Sequence, residues 1–342
     1  MSHAATSASP ATVPVTMDIT VLDPNDPRRA LDHLDWPSQY DAYHLLSRDL
    51  IDSLVTTIRA LDPGADPSAV VRAKAYDMVT DLAFVARLAF DIANARRTDR
   101  PLAYDPATCP MLAFLESGGD PARSPVPRIW HHPVDLRAKT RARKAARRIR
   151  SQWRARRAGR NRIDVHNRNN LVNAVLADDT RPAVDWPVTD IDWCDGAAVP
   201  GALKESVTVL SGSYAGAIAR HINDAGLRTT LAALGEHLLT YHLAKGWTDF
   251  AVFERHMRRR PMGEMLVSGT PKHLGRLAGW LYRREGRPVV RCAHGGERVF
   301  FSDYEWGLAE FPDCDIYYAH SAGERDAIAT RLAVGATALV QP

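Results

Sequence analysis

Apolar residues recur every three or four positions in two long segments of the N-terminal part, residues 40–61 and residues 68–97. This spacing is typical of helices with one apolar face. The turn between the segments contains Pro and Gly, which interrupt helices, and Ser68 is suited to cap the second helix. The pattern predicts a hairpin of two amphipathic helices.

The next regular segment is strongly basic. Periodicity is lost in residues 100–134, where prolines recur and we expect mostly loop. Residues 137–162 contain 13 Lys or Arg and no Asp or Glu, and their Arg and Ala content predicts a helix. A narrow apolar stripe would let this helix dock and present its charge to an anionic surface, either membrane lipid or nucleic acid, although a charge run is often only a solvated face. The stripe consists of Ala142, Ala145, Ala146, Ile149 and Trp153, and the predicted anionic-surface contacts are Arg143, Lys144, Arg147, Arg148, Arg150 and Arg154.

Two interpretations are open for residues 203–257. Residues 206–210 resemble a short strand, which would make the segment a strand-turn-helix unit. The spacing of residues 214–255 is helical, with interruptions near Gly226 and Gly246, and predicts a helical subdomain. We favour the helical subdomain.

Short apolar runs alternate with helical patterns from residue 262 to the end. A crossover of about 20 residues between the first two runs implies parallel strands joined by a helix, which Gly286 is suited to end. We therefore predict an α/β fold, a Rossmann-like three-layer lobe with a parallel sheet, preceded by a largely α-helical N-terminal region. The predicted strands are residues 263–267, 287–293, 315–319 and 337–340.

The composition predicts the cellular location of the protein and the boundaries of its domains. The sequence has no stretch of about 18 apolar residues, and its start lacks the apolar run of a signal peptide, so we expect a cytoplasmic protein. The four cysteines are far apart and lack zinc-type spacing, so we expect free thiols, no metal and no cofactor. The predicted parts are a disordered leader (1–36), a helical region with a loop (37–134), a basic helix or linker (135–165) and the α/β lobe (166–342).

Polar residues follow three of the predicted strands. Because the carboxyl ends of parallel strands meet at one edge of a sheet, these residues should line a single crevice of the kind that binds ligands in open α/β sheets. The predicted substrate contacts are Ser268, Gly269 and Thr270 after the first strand, Gly295 and Gly296 after the second, and His320 and Ser321 after the third.

The helix after the first strand is suited to an anion. Thr270 is a good N-cap and Pro271 a good first residue, and a helix start offers free N–H groups and the positive end of the dipole. Lys272, His273 and Arg276 add positive charge, so we expect a phosphate or carboxylate contact there. The alternative is an ordinary capped helix with solvated basic residues.

His294, at the end of the second strand, is the candidate general base, because histidine changes its charge near neutral pH. Asp303 and Glu305 follow closely and would orient His294 or act as the base themselves. The alternatives are a histidine bonded to a nearby carbonyl, a helix-capping Asp303 and a solvent-facing Glu305. Ser321 and Glu324 have capping-box spacing, which indicates a structural role.

These motifs, with Phe300 and the Asp315/Tyr317 pair, resemble the later part of the N-terminal lobe of bacterial surface-polysaccharide transferases with a GT-B fold, which serve capsule and lipopolysaccharide synthesis. The resemblance covers residues 262–342, about a quarter of the chain. In such proteins a Rossmann-like lobe takes the acceptor and a second lobe binds the nucleotide sugar.

The resemblance implies a hexosyl- or related sugar transferase that moves a sugar from a nucleotide-activated donor to an acceptor hydroxyl. It gives His294, Asp303 and Glu305 the roles of base and acceptor contacts, and it makes Gly295 and Gly296 shape the loop. The printed sequence ends where the second lobe would begin, so we expect a transferase truncated or split before its donor-binding lobe, with a separate donor-binding subunit as partner, or an enzyme that builds its donor site otherwise. The basic helix would hold it against anionic lipid at the inner face of the membrane.

A second hypothesis is a protein that catalyses nothing. Its α/β lobe would bind a phosphorylated ligand or a protein partner, and its basic helix would bind nucleic acid or an acidic protein. The two hypotheses differ over whether the carbohydrate acceptor or another molecule is the partner.

Overall fold

A computed structural model of the protein shows a mostly helical chain with one parallel sheet in its C-terminal part. This confirms the predicted α/β class with a preceding helical region. The structure describes residues 15–16, 40–61, 65–107, 109–124, 138–186, 198–258, 260–269, 273–293, 314–331 and 338–340. The predicted leader lies outside these residues except for a strand of two residues.

The described elements are named in chain order. The helices are α1 (Tyr40–Arg59), α2 (Asp66–Arg97), α3 (Pro110–Ser117), α4 (Ala138–Ala158), α5 (Asn170–Ala177), α6 (Gly201–His221), α7 (Ala225–Arg258), α8 (His273–Arg284) and α9 (Ala322–Arg331), with a 3-10 turn at Pro121–Arg123. The strands are β1 (Val15–Thr16), β2 (Leu102–Ala103), β3 (Ile163–His166), β4 (Ala183–Asp185), β5 (Met265–Ser268), β6 (Val289–Cys292), β7 (Ile316–Tyr318) and β8 (Ala338–Val340).

Four long helices pack side by side. α1 and α2 form the predicted hairpin, α6 packs on α1 and α7, and α7 packs on α2. Leucines at helical spacing are wholly buried between them, for example Leu50, Leu82 and Leu238. Gly235 allows a close approach, since a Cβ there would lie 2.4 Å from a ring carbon of Tyr214. Apolar burial therefore holds the helical region together.

The favoured helical subdomain is confirmed. Residues 206–210 belong to α6 and not to a strand, because Leu203, Val207 and Leu210 are buried at helical spacing. Residues 100–134, expected to be mostly loop, contain the short helix α3, whose apolar side chains pack on α2. One local prediction was wrong: α2 begins at Asp66 after the N-cap Ala65, so the cap is not Ser68.

Six described strands form one parallel sheet in the order β4-β3-β5-β6-β7-β8. The sequence predicted the last four strands and missed β3 and β4, and β3 begins before the predicted lobe boundary at residue 166. β3 and β6 are buried at every position, which is typical of parallel strands covered on both faces. Buried apolar residues of the sheet and of the four long helices form one continuous core.

Gly286 ends α8 as predicted. Gly286 has φ +68°, the left-handed conformation that glycine adopts without strain. Its N–H donates to the carbonyl of Arg283 at 2.9 Å, and the N–H of Arg287 donates to the carbonyl of Tyr282 at 2.9 Å. These bonds satisfy the last carbonyls of the helix.

Asp164 in the middle of β3 is a buried carboxylate that joins three parts of the chain; its side chain is 1 % exposed. It accepts hydrogen bonds from Arg162 Nε at 3.0 Å, Arg260 Nη2 at 2.9 Å, the backbone N–H of Gly263 at 2.8 Å and the hydroxyl of Tyr282. Burial and the neighbouring carboxylate raise the pKa of Tyr282, so its hydroxyl keeps its proton and donates it.

Arg162 extends this network to the end of α4. Its guanidinium also donates to the carbonyls of Ala155, at 3.1 Å, and of Gly159 and Pro261. The side chain is 0 % exposed, so each of these bonds compensates for water that the charge has lost. The network thus fixes α4 and the segment before β5 to the start of β3.

We expect Asp164→Asn to lower the free energy of unfolding by about 3 to 5 kcal/mol, because it leaves two buried guanidiniums without their carboxylate. Urea unfolding followed by circular dichroism measures the change. Asp185→Asn is the matched control, since Asp185 is 66 % exposed and pairs with Arg168 at 2.9 Å. The control should cost less than about 1 kcal/mol. Equal stabilities of the two variants would contradict the role given to Asp164.

Candidate functional site

The strand order changes direction between β3 and β5. From β3 the chain goes to β4 on one side, and it returns to β5 on the other side before continuing outward to β8. In open α/β sheets a crevice forms at the carboxyl ends of the two strands that flank such a reversal, and ligands bind there. We use the term rim for the segments that follow β3, β5, β6 and β7.

Asn169 connects two parts of the rim. It caps α5, with its Oδ1 accepting from the backbone N–H of Val172 at 2.8 Å. Its Nδ2 donates to the carbonyl of Ala293, the residue after β6, at 3.0 Å. Because β5 lies between β3 and β6, this side chain spans the end of β5. The sequence analysis missed Asn169, since it had not predicted β3.

Gly269 is at the rim as predicted, and packing requires glycine there. Its N–H donates to the carbonyl of Asn167 at 3.1 Å. A Cβ at this position would lie 2.6 Å from the same carbonyl oxygen and 2.9 Å from Asn169 Nδ2. The segments after β3 and β5 are therefore in direct contact through a residue without a side chain.

Ser268 lies inside the fold. It is 0 % exposed, and its Oγ accepts from Nη1 of Arg291 on β6 at 2.6 Å. Arg291 is also buried, and its Nη2 donates to the carbonyl of Gly275 in the first turn of α8 at 3.2 Å. Arg291 therefore links β6 to Ser268 on β5 and to the start of α8, beneath the rim.

The residues after β7 form a helix cap. Ser321 Oγ accepts from the backbone N–H of Glu324 at 3.1 Å, and Glu324 Oε2 accepts from the N–H of His320 at 2.6 Å. This agrees with the structural role that the Ser321/Glu324 spacing indicated. His320 and Ser321 are exposed at the rim, while Glu324 is buried.

His273, the first residue of α8, lies beside two carboxylates. Its Nε2 is 3.0 Å from Oδ2 of Asp249 on α7, and its Nδ1 is 3.9 Å from Oδ2 of Asp77 on α2. Burial and the charge of Lys74 lower the pKa of His273 to about 4, although Asp249 acts in the opposite direction. At neutral pH the imidazole is therefore uncharged, and Asp249 favours the tautomer with the proton on Nε2.

Asp77 is held in its charged form. Burial alone would raise the pKa of Asp77, but the charges of Lys74 and Arg276 outweigh burial and hold the pKa well below its usual range. Lys74 Nζ lies 3.1 Å and Arg276 Nη2 lies 3.5 Å from the carboxylate. Arg276 is buried, with Nε donating to the carbonyl of Ala73 at 2.6 Å, so it is not the solvated basic residue of the simpler alternative.

These side chains belong to two facing stripes of ionisable residues on the packed faces of α2 and α7. Each stripe has the spacing i, i+3, i+7, which places its members on one helix face. His242 Nε2 lies 2.7 Å from Asp81 Oδ2 across the interface between α2 and α7. The stripes are Lys74, Asp77 and Asp81 on α2, and His242, Lys245 and Asp249 on α7. We call these six residues with His273 and Arg276 the ionisable cluster.

The ionisable cluster borders the rim, because α8 starts where the segment after β5 ends. An imidazole whose Nε2 is held by a carboxylate has Nδ1 left to accept a proton, although a pKa of about 4 makes it a weak base. The cations beside the start of α8, Lys74 and Arg276, are buried and already paired with Asp77, so they do not offer their charge to a second anion. The sequence analysis predicted His273 but missed its partners. Charged residues recurring at helical spacing within the apolar faces of residues 68–97 and 214–255 were the signal.

Part of the predicted site lies outside the described residues. These positions are Thr270, Lys272, His294, Gly295, Gly296, Asp303 and Glu305. Within the described part of the chain, no group of three or more His, Cys, Asp or Glu side chains is placed to hold a metal ion. The described cysteines, Cys109, Cys292 and Cys314, are free thiols, and burial raises the pKa of Cys292 to about 12.

The basic segment forms a helix, α4, as predicted, but it does not dock by the predicted stripe. Ile149 and Trp153 are 65 % and 59 % exposed, and Ala142, Ala145 and Ala146 are also exposed. The docked face carries Ser151, whose Oγ donates to the carbonyl of Asp185 at 2.7 Å, and the buried Ala155. Arg150 and Arg154 are exposed, and the side chains of Arg143, Lys144, Arg147 and Arg148 lie outside the described atoms.

No protein-family model, curated protein or solved structure matches this chain. None of the described helices combines the length and the apolar content needed to cross a membrane.

We expect the depressed pKa of His273 to make stability depend on pH. In the unfolded chain the imidazole binds a proton below about pH 6.5, whereas in the folded chain it binds one only near pH 4. The contribution of the neutral imidazole to the free energy of unfolding is therefore complete above pH 6.5 and is lost as the pH falls towards 4. Between about pH 7 and pH 4.5, the wild type should lose more stability than His273→Gln by an amount on the order of 2 kcal/mol.

Urea unfolding of both proteins across this pH range measures the difference, and NMR titration of the His273 imidazole gives its pKa directly. The His273→Gln spectrum assigns the resonance. A midpoint near 6.5 would show that the imidazole is not buried against Lys74 and the two carboxylates.

We expect Gly269→Ala to destabilise the protein by about 1 to 3 kcal/mol, because the added methyl group meets a backbone carbonyl that cannot move aside freely. Thermal or urea unfolding measures the loss. Gly212→Ala in α6 is the control, since a Cβ there has nothing within 4 Å. That variant should be neutral or more stable by up to about 1 kcal/mol, as Ala favours helix over Gly. Equal effects at both positions would argue against the close approach of the two rim segments.

Proposed function

We propose that this chain is a glycosyltransferase-like protein of cell-surface polysaccharide biosynthesis, active on the cytoplasmic side of the membrane. In its reaction a sugar passes from a nucleotide-activated donor to an acceptor hydroxyl. The observation that carries the proposal is the reversal of strand order between β3 and β5, with polar residues at the strand ends. Sheets with such a reversal bind ligands at this edge.

The expected Rossmann-like three-layer lobe is consistent with this topology. Parallel crossovers are almost always right-handed. The crossover through α5 and the crossover through α8 run in opposite directions along the sheet, so the two helices should cover opposite faces. This arrangement leaves the rim open between them for an acceptor.

Sugar transfer requires a base for the acceptor hydroxyl. As the hydroxyl oxygen bonds to the anomeric carbon, the bond from that carbon to the donor phosphate breaks and the hydroxyl proton must leave. Among the described residues we assign the base to His273, because Asp249 accepts the Nε2 proton and leaves Nδ1 to take the hydroxyl proton. Its lowered pKa of about 4 makes it a weak base in the ligand-free protein, so the assignment rests on geometry. Asp249 is then a positioning residue. His294, with Asp303 and Glu305, is the candidate that the sequence predicts.

A second candidate function is binding of a phosphorylated ligand or of nucleic acid without turnover. The exposed arginines of α4 favour it. It predicts retention of an anionic ligand with no chemical change. The two functions share the rim and differ in whether any residue must accept a proton.

We expect the full chain to bind fragments of bacterial surface polysaccharides on a glycan array and to extend those fragments when nucleotide sugars are supplied. Mass spectrometry of the glycans and release of the nucleotide measure transfer. His273→Gln should lower the rate at saturating substrate by about 10²- to 10⁴-fold, as expected for a general base. Asp249→Asn should cause a smaller loss and shift the pH profile.

His237→Gln is the matched control, because His237 is a partly buried histidine of α7 that does not belong to the ionisable cluster. A rate that falls in His294→Ala and not in His273→Gln would transfer the role of base to His294. Binding of nucleotide or nucleic acid without glycan binding or transfer would support the second function instead.

A further inference from the structure

α4 presents its largest apolar side chains away from the rest of the protein. Successive residues of an α-helix are about 100° apart, so Ile149 and Trp153 lie roughly 200° around the axis from the docked residues Ser151 and Ala155. Within the described part of the chain, four large apolar side chains are strongly exposed, and two of them, Ile149 and Trp153, are neighbours on this helix. They form an outward apolar stripe.

Cations flank the stripe. Arg150, Arg154 and Arg157 are exposed on adjoining positions, and the guanidinium of Arg157 lies 5.4 Å from the ring centre of Trp153. The sequence of α4 contains no acidic residue that would pair with them. The outward face therefore combines apolar side chains with positive charge that no residue of the helix itself compensates.

We propose that the outward face of α4 docks on an anionic lipid bilayer, with Ile149 and Trp153 in the interface and the arginines against the phosphates. This composition matches helices that lie in the plane of a membrane surface, where an apolar stripe is removed from water and cations meet anionic lipid. Nucleic acid would satisfy the arginines but would leave Ile149 in water. The stripe therefore favours lipid over nucleic acid.

The orientation of α4 places this surface on the same side as the rim. Ser151 bonds to Asp185, the last residue of β4, while Ala155 bonds to Arg162 at the start of β3. α4 therefore runs opposite to the strands. Its segment from Ala138 to Ser151, about 20 Å at 1.5 Å per residue, extends beyond the carboxyl ends of the strands. A bilayer on this helix lies next to the rim.

Flotation of the full chain with vesicles tests the proposal. Binding is expected to vesicles of phosphatidylcholine with phosphatidylglycerol and not to phosphatidylcholine alone. Replacing the apolar pair, Ile149→Ser with Trp153→Ser, should weaken binding at least about tenfold. Replacing Arg150, Arg154 and Arg157 together by Gln should weaken vesicle binding by about 100-fold. High salt, which screens these charges, should weaken binding of the wild type as well.

Matched controls carry the same changes elsewhere. Leu45→Ser with Val209→Ser removes the other two strongly exposed apolar side chains, and Gln at Arg59, Arg97 and Arg255 removes three exposed charges from the helical bundle. Both controls should bind vesicles like the wild type. Losses equal to those of the α4 variants would overturn the proposal, and so would binding of duplex DNA that depends on the arginines without vesicle binding.

Discussion

The structure depends most on the buried carboxylate of Asp164. Two guanidiniums, a tyrosine hydroxyl and a backbone N–H converge on it, and these groups come from β3, from the segment between α7 and β5, and from α8. Two cations against one anion would leave a buried positive charge, and the carbonyls that Arg162 binds partly compensate it. Since α7 belongs to the helical bundle and β5 to the sheet, this carboxylate sets how the bundle continues into the sheet.

That constraint reaches the candidate site through α8, which lies between α2 and α7. At its C-terminal end Tyr282 bonds to Asp164, and Arg284 pairs with Glu254 of α7 at 3.2 Å. At its N-terminal end His273 meets Asp249, and Arg276 meets the carbonyl of Ala73 on α2. A helix held at both ends has little freedom to rotate. The position of His273 beside its two carboxylates is therefore set by the same contacts that stabilise the junction of bundle and sheet.

Sequence patterns predicted what apolar spacing controls: the α1 and α2 hairpin, the helix α4, and the strands β5 to β8. They missed β3 because Asp164 and His166 interrupt its apolar run, and only distant partners such as Arg260 and Tyr282 make that aspartate suitable for a buried strand. Residues 206–210 have strand-like local composition, but burial of their apolar side chains in the bundle selects the helix that the wider spacing favoured. At the site, Gly269 and His273 were identified from the sequence, whereas Asn169 and Asp249 were not, since their roles depend on which helix and strand ends lie together.

The cost of burying charge explains which residues of the basic helix α4 pack against the sheet. A segment with thirteen cations cannot be buried along its length, because each charge would lose its hydration without a partner. Among its described side chains, α4 meets the sheet edge through the small residues Ser151 and Ala155, which let its backbone approach β4 while every described arginine from Arg150 to Arg157 stays in water. A helix that needed only to cover an edge strand would have no use for Ile149 and Trp153 on its far side. Their exposure opposite the docked face, on a helix that extends past the rim, indicates a second surface that α4 serves.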